Sequence, residues 1–299
     1  MKQLLIPMAI ALKQQAWAIV TGLSLAIALY GLAALALRRY QTRFIFRPSA
    51  TLNATPAAAQ LAYEEIWLPV GEGQVHGWWI PAAAAPASRA QTTPAPAILY
   101  LHGNGSNLGD LVNRARRFHQ WGYSILLIDY RGYGRSSGPF PNEARVYEDA
   151  ETAWQYLSQQ VAADRIVIYG RSIGGAIAIH LAAQHPDAAG LILESSFTSM
   201  AAVVEQSPVG LVFPADRLVT QRFDSLSKIR SLPTPLLLLH GTADAIVPPE
   251  MSQALHDAAS GPKALVWIDG ADHNDVPETG GDRYAEAIQT FVAEWTTAQ

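Results

Sequence analysis

Three residues far apart in the chain have the types and settings needed for nucleophilic acyl transfer. The first is the serine of Gly170-Arg171-Ser172-Ile173-Gly174, which follows the apolar run Arg165–Tyr169 and opens the helical pattern GGAIAIHLAAQ. A sharp strand-to-helix turn holds such a serine with its hydroxyl exposed, and glycines two residues to either side remove side chains that would collide there. The serine also stands where a helix begins, so free N–H groups and the positive helix end are available to developing negative charge. A serine nucleophile needs a base to take its proton and an acid to orient that base. Asp244 lies in Gly241-Thr242-Ala243-Asp244-Ala245-Ile246-Val247-Pro248 after the run LLLLH, and His273 in Gly270-Ala271-Asp272-His273-Asn274-Asp275 after ALVWI. The order Ser, Asp, His places each at the C-terminal end of an apolar run, where functional groups of an open α/β sheet converge.

The oxyanion of such a reaction needs two N–H donors, one from the residue after the nucleophile and one from the loop after the third strand. Those positions are Ile173 and Asn104, the latter within His102-Gly103-Asn104-Gly105. Glu194 also ends an apolar run and is the rival acid. Asp272 and Asp275 adjoin His273 too closely to reach its ring nitrogens and are read as loop-shaping. Asp129 is read as bracing the loop RGYGRSSG through Arg131 or Arg135, and His102 and His240 as buried hydrogen-bonding groups.

Eight apolar runs of strand length could position these residues: Glu65–Val70, Gln74–Ile80, Ala97–Leu101, Ser124–Ile128, Arg165–Tyr169, Gly190–Leu193, Leu236–His240 and Ala264–Ile268. The last six are nearly continuous in Leu, Ile and Val, as in parallel strands buried on both faces. Helical patterns separate them over Leu108–Trp121, Asn142–Gln159, Gly174–Gln184, Glu250–Ala259 and Arg283–Trp295. The alternation predicts one α/β domain over 61–299 built on an eight-stranded, mainly parallel sheet. The first two runs, joined across Gly71-Glu72-Gly73, predict an antiparallel edge hairpin. The proline- and alanine-rich stretch 81–96 predicts a solvated loop.

Residues 14–37 carry no charge, and Ala16–Leu37 is long enough as a helix to cross roughly 30 Å of hydrocarbon. The predicted organisation is a tail over 1–15, a transmembrane helix over 16–37, and a basic collar and tether over 38–60. A cleaved signal peptide competes, because Ala34-Leu35-Ala36 resembles a cleavage site, but the apolar stretch exceeds a signal's roughly 7–15 residues. Four arginines follow the span (38, 39, 43 and 47) against Lys2, Lys13 and the amino terminus before it. The positive-inside tendency therefore leans toward a cytoplasmic C-terminal domain, with the opposite side and secretion as alternatives.

The 299 residues include no cysteine, which excludes disulfides, thiolate metal sites and a cysteine nucleophile. The formal net charge of −4 excludes nucleic-acid binding through a strongly basic face. It averages unlike parts: residues 1–47 hold six basic and no acidic side chains, whereas residues 48–299 hold 15 basic and 25 acidic ones.

The motifs FIFRPS, LHGNG, DYRGYGRSSG, YGRSIGGA, LESSFTSM, HGTADAIVP and GADHND, in this order from about Arg43 onward, resemble the α/β-hydrolase superfamily. Within it the chain is similar to the membrane-anchored alpha/beta-hydrolase-domain-containing serine hydrolases, which include protein depalmitoylases. The resemblance implies a Ser172–His273–Asp244 triad, oxyanion donation by Asn104 and Ile173, hydrolysis of ester or thioester bonds, and no cofactor or metal. The expected partners are an acyl ester or thioester substrate and the lipid bilayer, with no nucleic acid. A short cap is expected over about 196–232, with Val209, Leu211, Val212 and Phe213 facing the acyl side of the cleft or merely covering the sheet end. The competing activities are a small-ester carboxylesterase, an aminopeptidase of the same fold and an inactive membrane scaffold.

Overall fold

The computed structural model describes residues 2–83 and 94–296. Residues 84–93 of the expected loop over 81–96 lie outside the described residues.

All eight expected strands form: β1 (Glu64–Pro69), β2 (Gln74–Ile80), β3 (Ala97–Leu101), β4 (Ser124–Asp129), β5 (Ile166–Arg171), β6 (Gly190–Glu194), β7 (Leu236–Gly241) and β8 (Lys263–Ile268). They make one sheet in the order β1-β2-β4-β3-β5-β6-β7-β8. β1 pairs antiparallel with β2, and β2 with β4; every later pairing is parallel. The edge hairpin and the parallel centre both follow from composition, since β3 through β7 have almost no polar side chain to turn toward water.

Strand alternation divides the core in two. Leu99, Leu101, Leu126, Ile128 and Ile168 join one buried cluster, while Ile98, Tyr100, Leu127, Val167 and Tyr169 join the other. The first face is covered by α3 (Glu143–Ser158), α4 (Ile173–Gln184) and α8 (Glu250–Ala258), and the second by α2 (Val112–Gln120) and α9 (Val276–Thr296). The pattern read over Leu108–Trp121 divides into a 3-10 turn, Leu108–Leu111, followed by α2. The last helix begins earlier than its apolar period suggests, with a kink at Gly281 (φ 47°).

The N-terminal helix, α1, runs from Lys2 to Ile45 and so continues past the apolar segment through Arg38, Arg39 and Arg43. Arginine is a good helix former, and the segment after Leu37 contains neither glycine nor proline before Pro48. Among the described residues its least exposed are Ala34, Leu37, Gln41, Thr42 and Ile45, and Ala34, Leu37, Gln41 and Ile45 recur at three- and four-residue spacing to make one stripe that faces the domain. Between β6 and β7 lie three short helices, α5 (Met200–Glu205), α6 (Ala215–Leu218) and α7 (Ser225–Ile229), which form the small cap. The cap chain follows the helix: the Tyr30 hydroxyl donates to the Val212 carbonyl at 3.2 Å, and Arg38 Nη1 to the Arg217 carbonyl at 2.7 Å. Farther along, Gln41 Oε1 accepts from the N–H groups of Thr220 at 2.8 Å and Gln221 at 3.2 Å.

Candidate active site

β5 delivers the serine. Ser172 adopts φ 53°, ψ −121°, a conformation that costs a non-glycine residue about 1–3 kcal/mol. Its N–H is held by the Glu194 carbonyl at 2.9 Å. Glycine is needed at 174 because a Cβ there would stand 2.1 Å from the Leu101 carbonyl oxygen. Only without that side chain can α4 start hard against the end of β3 and turn the serine hydroxyl outward.

The two loops after β7 and β8 bring the other groups to this hydroxyl. His273 Nε2 lies 3.1 Å from Ser172 Oγ, and His273 Nδ1 lies 2.7 Å from Asp244 Oδ2. An Nδ1–H directed at the carboxylate leaves Nε2 free to accept the serine proton. Burial alone would raise the Asp244 carboxyl, but hydrogen bonds from His240, His273 and the Val247 N–H hold it well below the usual carboxylate range. Asp244 Oδ1 accepts from the N–H groups of Ile246 at 2.9 Å and Val247 at 2.8 Å, so the loop wraps its own acid. Asp272 and Asp275 shape the histidine loop: Asp272 Oδ1 accepts from the His273 N–H and Asp275 Oδ1 from the Asp272 N–H, both at 2.7 Å, and Asp272 Oδ1 also accepts from the Ala245 N–H of the Asp244 loop at 3.3 Å.

Asn104 follows β3 and faces this group. Among the described residues, neither the Asn104 N–H nor the Ile173 N–H donates to a protein acceptor. The Asn104 side chain is fully engaged: Oδ1 accepts from the Arg47 N–H at 2.7 Å, the Tyr133 hydroxyl at 2.8 Å and the Gly105 N–H at 2.9 Å, and Nδ2 donates to the Ile45 carbonyl. The loop is thus tied to the end of α1.

Glu194 is not at the imidazole. It is fully buried, takes a 2.8 Å bond from Arg114 and also accepts from Tyr169 and Tyr284. Burial would raise its carboxyl, but Arg114 and Arg171 overcome that and bring it down to about 2. The expectation for Asp129 needs correcting. Its Oδ1 accepts from the Leu108 N–H at 3.0 Å, and Gly134 packs directly on its carboxylate. Arg131 pairs with Asp149 and Glu148 instead, and Arg135 with Glu65. Asp149 and Glu148 lie on the face of α3 turned toward that loop and so reach Arg131 from the helix.

Two residues at the site lacked a distinctive sequence signal. His240 Nε2 lies 2.9 Å from the Val247 carbonyl and 3.1 Å from Asp244 Oδ2, so it carries the proton, and Nδ1 accepts from Ser252 at 2.6 Å. Arg171 Nη2 donates to the His273 carbonyl at 2.9 Å and to Asn274 at 2.6 Å, while its Nε stands 3.2 Å from Glu194. Arg171 occupies the variable position of the pentapeptide, where spacing carries no information about its partners.

Ser172 and His273 open into a cavity of about 660 Å³. Leu37, Phe44 and Ile45 of α1 line one side, and Met200, Val204 and Val209 of the cap line another. Of the four cap residues expected to face the cleft, only Val209 does. Leu211 and Val212 are 86% and 59% exposed, and Phe213 stacks on Tyr30 at 4.8 Å between ring centroids.

The chain is 34% identical over 291 residues to the protein bem46 of Schizosaccharomyces pombe, covering 91% of each. The chain belongs to the α/β-hydrolase superfamily. This hydrolase is also 34% identical over 206 residues to human alpha/beta hydrolase domain-containing protein 17B, covering 66% of each. The family model for serine aminopeptidases, S33, matches residues 92–226 of the hydrolase, a range that contains Asn104 and Ser172. An esterase of Pyrococcus furiosus has the same fold, with a TM-score of 0.68 at 18% identity over 85% of this chain and 99% of that one.

Proposed function

We propose that the protein is a membrane-anchored serine hydrolase that cleaves carboxylic ester or thioester bonds of acylated or lipid-like substrates. The observation that carries this reading is the hydrogen-bonded series Ser172–His273–Asp244 at the wall of an apolar cavity. His273 Nε2 takes the Ser172 proton as Oγ attacks the acyl carbonyl, and Asp244 stabilises the imidazolium that forms. The unengaged N–H groups of Asn104 and Ile173 receive the charge on the tetrahedral oxygen. His273 then gives its proton to the departing alcohol or thiol. Water, deprotonated by the same nitrogen, releases the acid from the acyl-enzyme.

Cavity chemistry favours esters and thioesters over the aminopeptidase alternative. None of the lining residues is a carboxylate that could hold a substrate's α-ammonium group, and the charged members of the lining are Arg47 and Arg171. The helix over residues 13–45 has a mean hydropathy of 2.1 in its most apolar window and none of that window is buried by the rest of the chain, which supports an anchor. Its arginine collar would meet anionic headgroups.

Fluorophosphonate labelling tests the nucleophile: the wild type should be labelled and Ser172→Ala should not, with turnover lowered by at least about three orders of magnitude. A folded wild type that resists labelling, or a Ser172→Ala protein that turns over activated esters normally, would overturn the assignment. A panel of oxyesters, acyl thioesters and lysophospholipids of rising chain length, in detergent and in bilayers, tests the substrate class. A short-chain optimum indifferent to membranes would reassign the protein as a small-ester carboxylesterase.

A further inference from the structure

Among the described residues of the globular domain the cap tip bears the two most exposed large apolar side chains, Leu211 and Val212, and its position along α1 is set by named contacts. Val212 meets Tyr30, Arg217 meets Arg38, and Thr220 and Gln221 meet Gln41. The cap chain therefore descends alongside the helix toward its apolar segment. Eight residues of helix separate Tyr30 from Arg38, about 12 Å along the axis. Tyrosine side chains on a helix lean toward its N-terminus, which carries Val212 no shallower than Tyr30. If Arg38 marks the edge of the hydrocarbon, the tip stands at a depth comparable to most of one leaflet, about 15 Å.

The tip is chemically suited to that depth. From Gln206 to Ala215 the sequence QSPVGLVFPA has no charge, and Glu205 and Asp216 bracket it. Part of its polar backbone is bonded within the cap: the N–H groups of Ser207, Gly210, Val212 and Phe213 are bonded to carbonyls of residues 204, 207, 209 and 209, and Pro208 and Pro214 have none. The Ser207 hydroxyl donates to the Val204 carbonyl at 2.6 Å. The Tyr30 hydroxyl, which would be costly alone in lipid, is satisfied by the Val212 carbonyl.

We propose that the cap tip, residues 209–213, is a second membrane-embedded element, lying in the leaflet nearest the hydrolase domain with Leu211 and Val212 against acyl chains. The inference rests on the reading of α1 as a membrane span. It has a consequence for the substrate. Leu37, Gln41 and Phe44 on one side and Val204, Ser207 and Val209 on the other line the cavity at the level where the helix leaves the hydrocarbon. An acyl chain reaches Ser172 laterally from the leaflet, passing between α1 and the cap without crossing water.

The absence of cysteine makes the test clean, since any introduced thiol is the only one. Leu211→Cys, Gly22→Cys within the apolar helix and Asp187→Cys on the far end of the sheet are each spin-labelled in the full chain. The labelled proteins are placed in phosphatidylcholine–phosphatidylglycerol vesicles, and power saturation compares molecular oxygen with a water-soluble nickel chelate. Labels at 211 and 22 should favour oxygen, and the label at 187 should favour nickel. A label at 211 that behaves like 187 while 22 favours oxygen overturns the proposal and leaves the anchor standing. A label at 211 shielded from both relaxants means that protein, such as a second copy, covers the tip, which also overturns it. Nickel access at 22 would overturn the anchor and this inference together. This readout needs no turnover, so it is separate from failure of the proposed chemistry. In turnover, Leu211→Asp with Val212→Asp should lower hydrolysis of a vesicle-borne long-chain ester about tenfold relative to a soluble short-chain one. An unchanged ratio refutes entry from the leaflet.

Discussion

Replacing Glu194 with glutamine keeps the shape of a buried side chain and removes its charge. Arg114 and Arg171 are then left facing it, with side chains only 14% and 11% exposed. The size of the effect follows from the carboxyl itself: a pKa of about 2 against an ordinary value near 4.5 means that the folded protein favours the ionised form by about 3 kcal/mol. This agrees with the 3–5 kcal/mol typical of breaking a buried pair from one side. Since the folded value lies below the unfolded one, the stabilisation is complete above about pH 4.5 and fades as pH falls toward about 2. Urea unfolding of the full chain in detergent, followed by tryptophan fluorescence, should place Glu194→Gln about 3 kcal/mol below wild type at pH 7, with the gap narrowing below about pH 4.5. Equal midpoints at pH 7, or a gap that widens on acidification, would refute the argument that this carboxylate works by neutralising two buried guanidiniums. Because Arg171 also holds the His273 carbonyl, activity should fall at urea concentrations where the protein is still folded.

Two further outcomes concern the site. Asp244→Asn should lower kcat by about 10⁴-fold with little change in KM, since the amide no longer fixes the His273 tautomer; steady-state kinetics on an activated ester would check it, and a loss under tenfold would count against Asp244 as the orienting acid. Tyr133→Phe removes the 2.8 Å bond to the Asn104 side chain and keeps the buried ring. It should reduce kcat/KM about two- to tenfold at unchanged thermal midpoint, and an unchanged kcat/KM would mean that the Asn104 loop needs no such support.

The sheet was legible because β3 to β7 are apolar except at Ser124 and at their C-terminal ends and are bounded by glycine or polar turns, a pattern that few other structures satisfy. Ser172, Asp244 and His273 were legible as a set because each follows such a strand, so topology alone brings their loops together. Information ran out where a partner is chosen by how a loop folds or by which element packs over it rather than by the order of strands. Arg131 selects Asp149 and Glu148 because α3 packs over its loop, and spacing within RGYGRSSG could not reveal a helix partner. His240 looked like one more buried histidine, and its contact with Asp244 depends on how the loop after β7 folds back. The cap failed for a related reason: Leu211, Val212 and Phe213 suit a cleft lining by composition, but the side they take is decided by α1, a segment some 180 residues away.

The stripe Ala34, Leu37, Gln41 and Ile45 makes α1 more than an address label. A hydrophobic anchor that only tethers can be exchanged for any other of equal length, and its sequence is free to drift. Here one side of the helix forms a wall of the cavity and bonds to the cap through Tyr30, Arg38 and Gln41, whereas its outward-facing side has no such duty. Substitutions should accumulate unevenly around the helix, and a helix transplanted in its place would bring its own wall to the cavity and change which molecules the protein accepts.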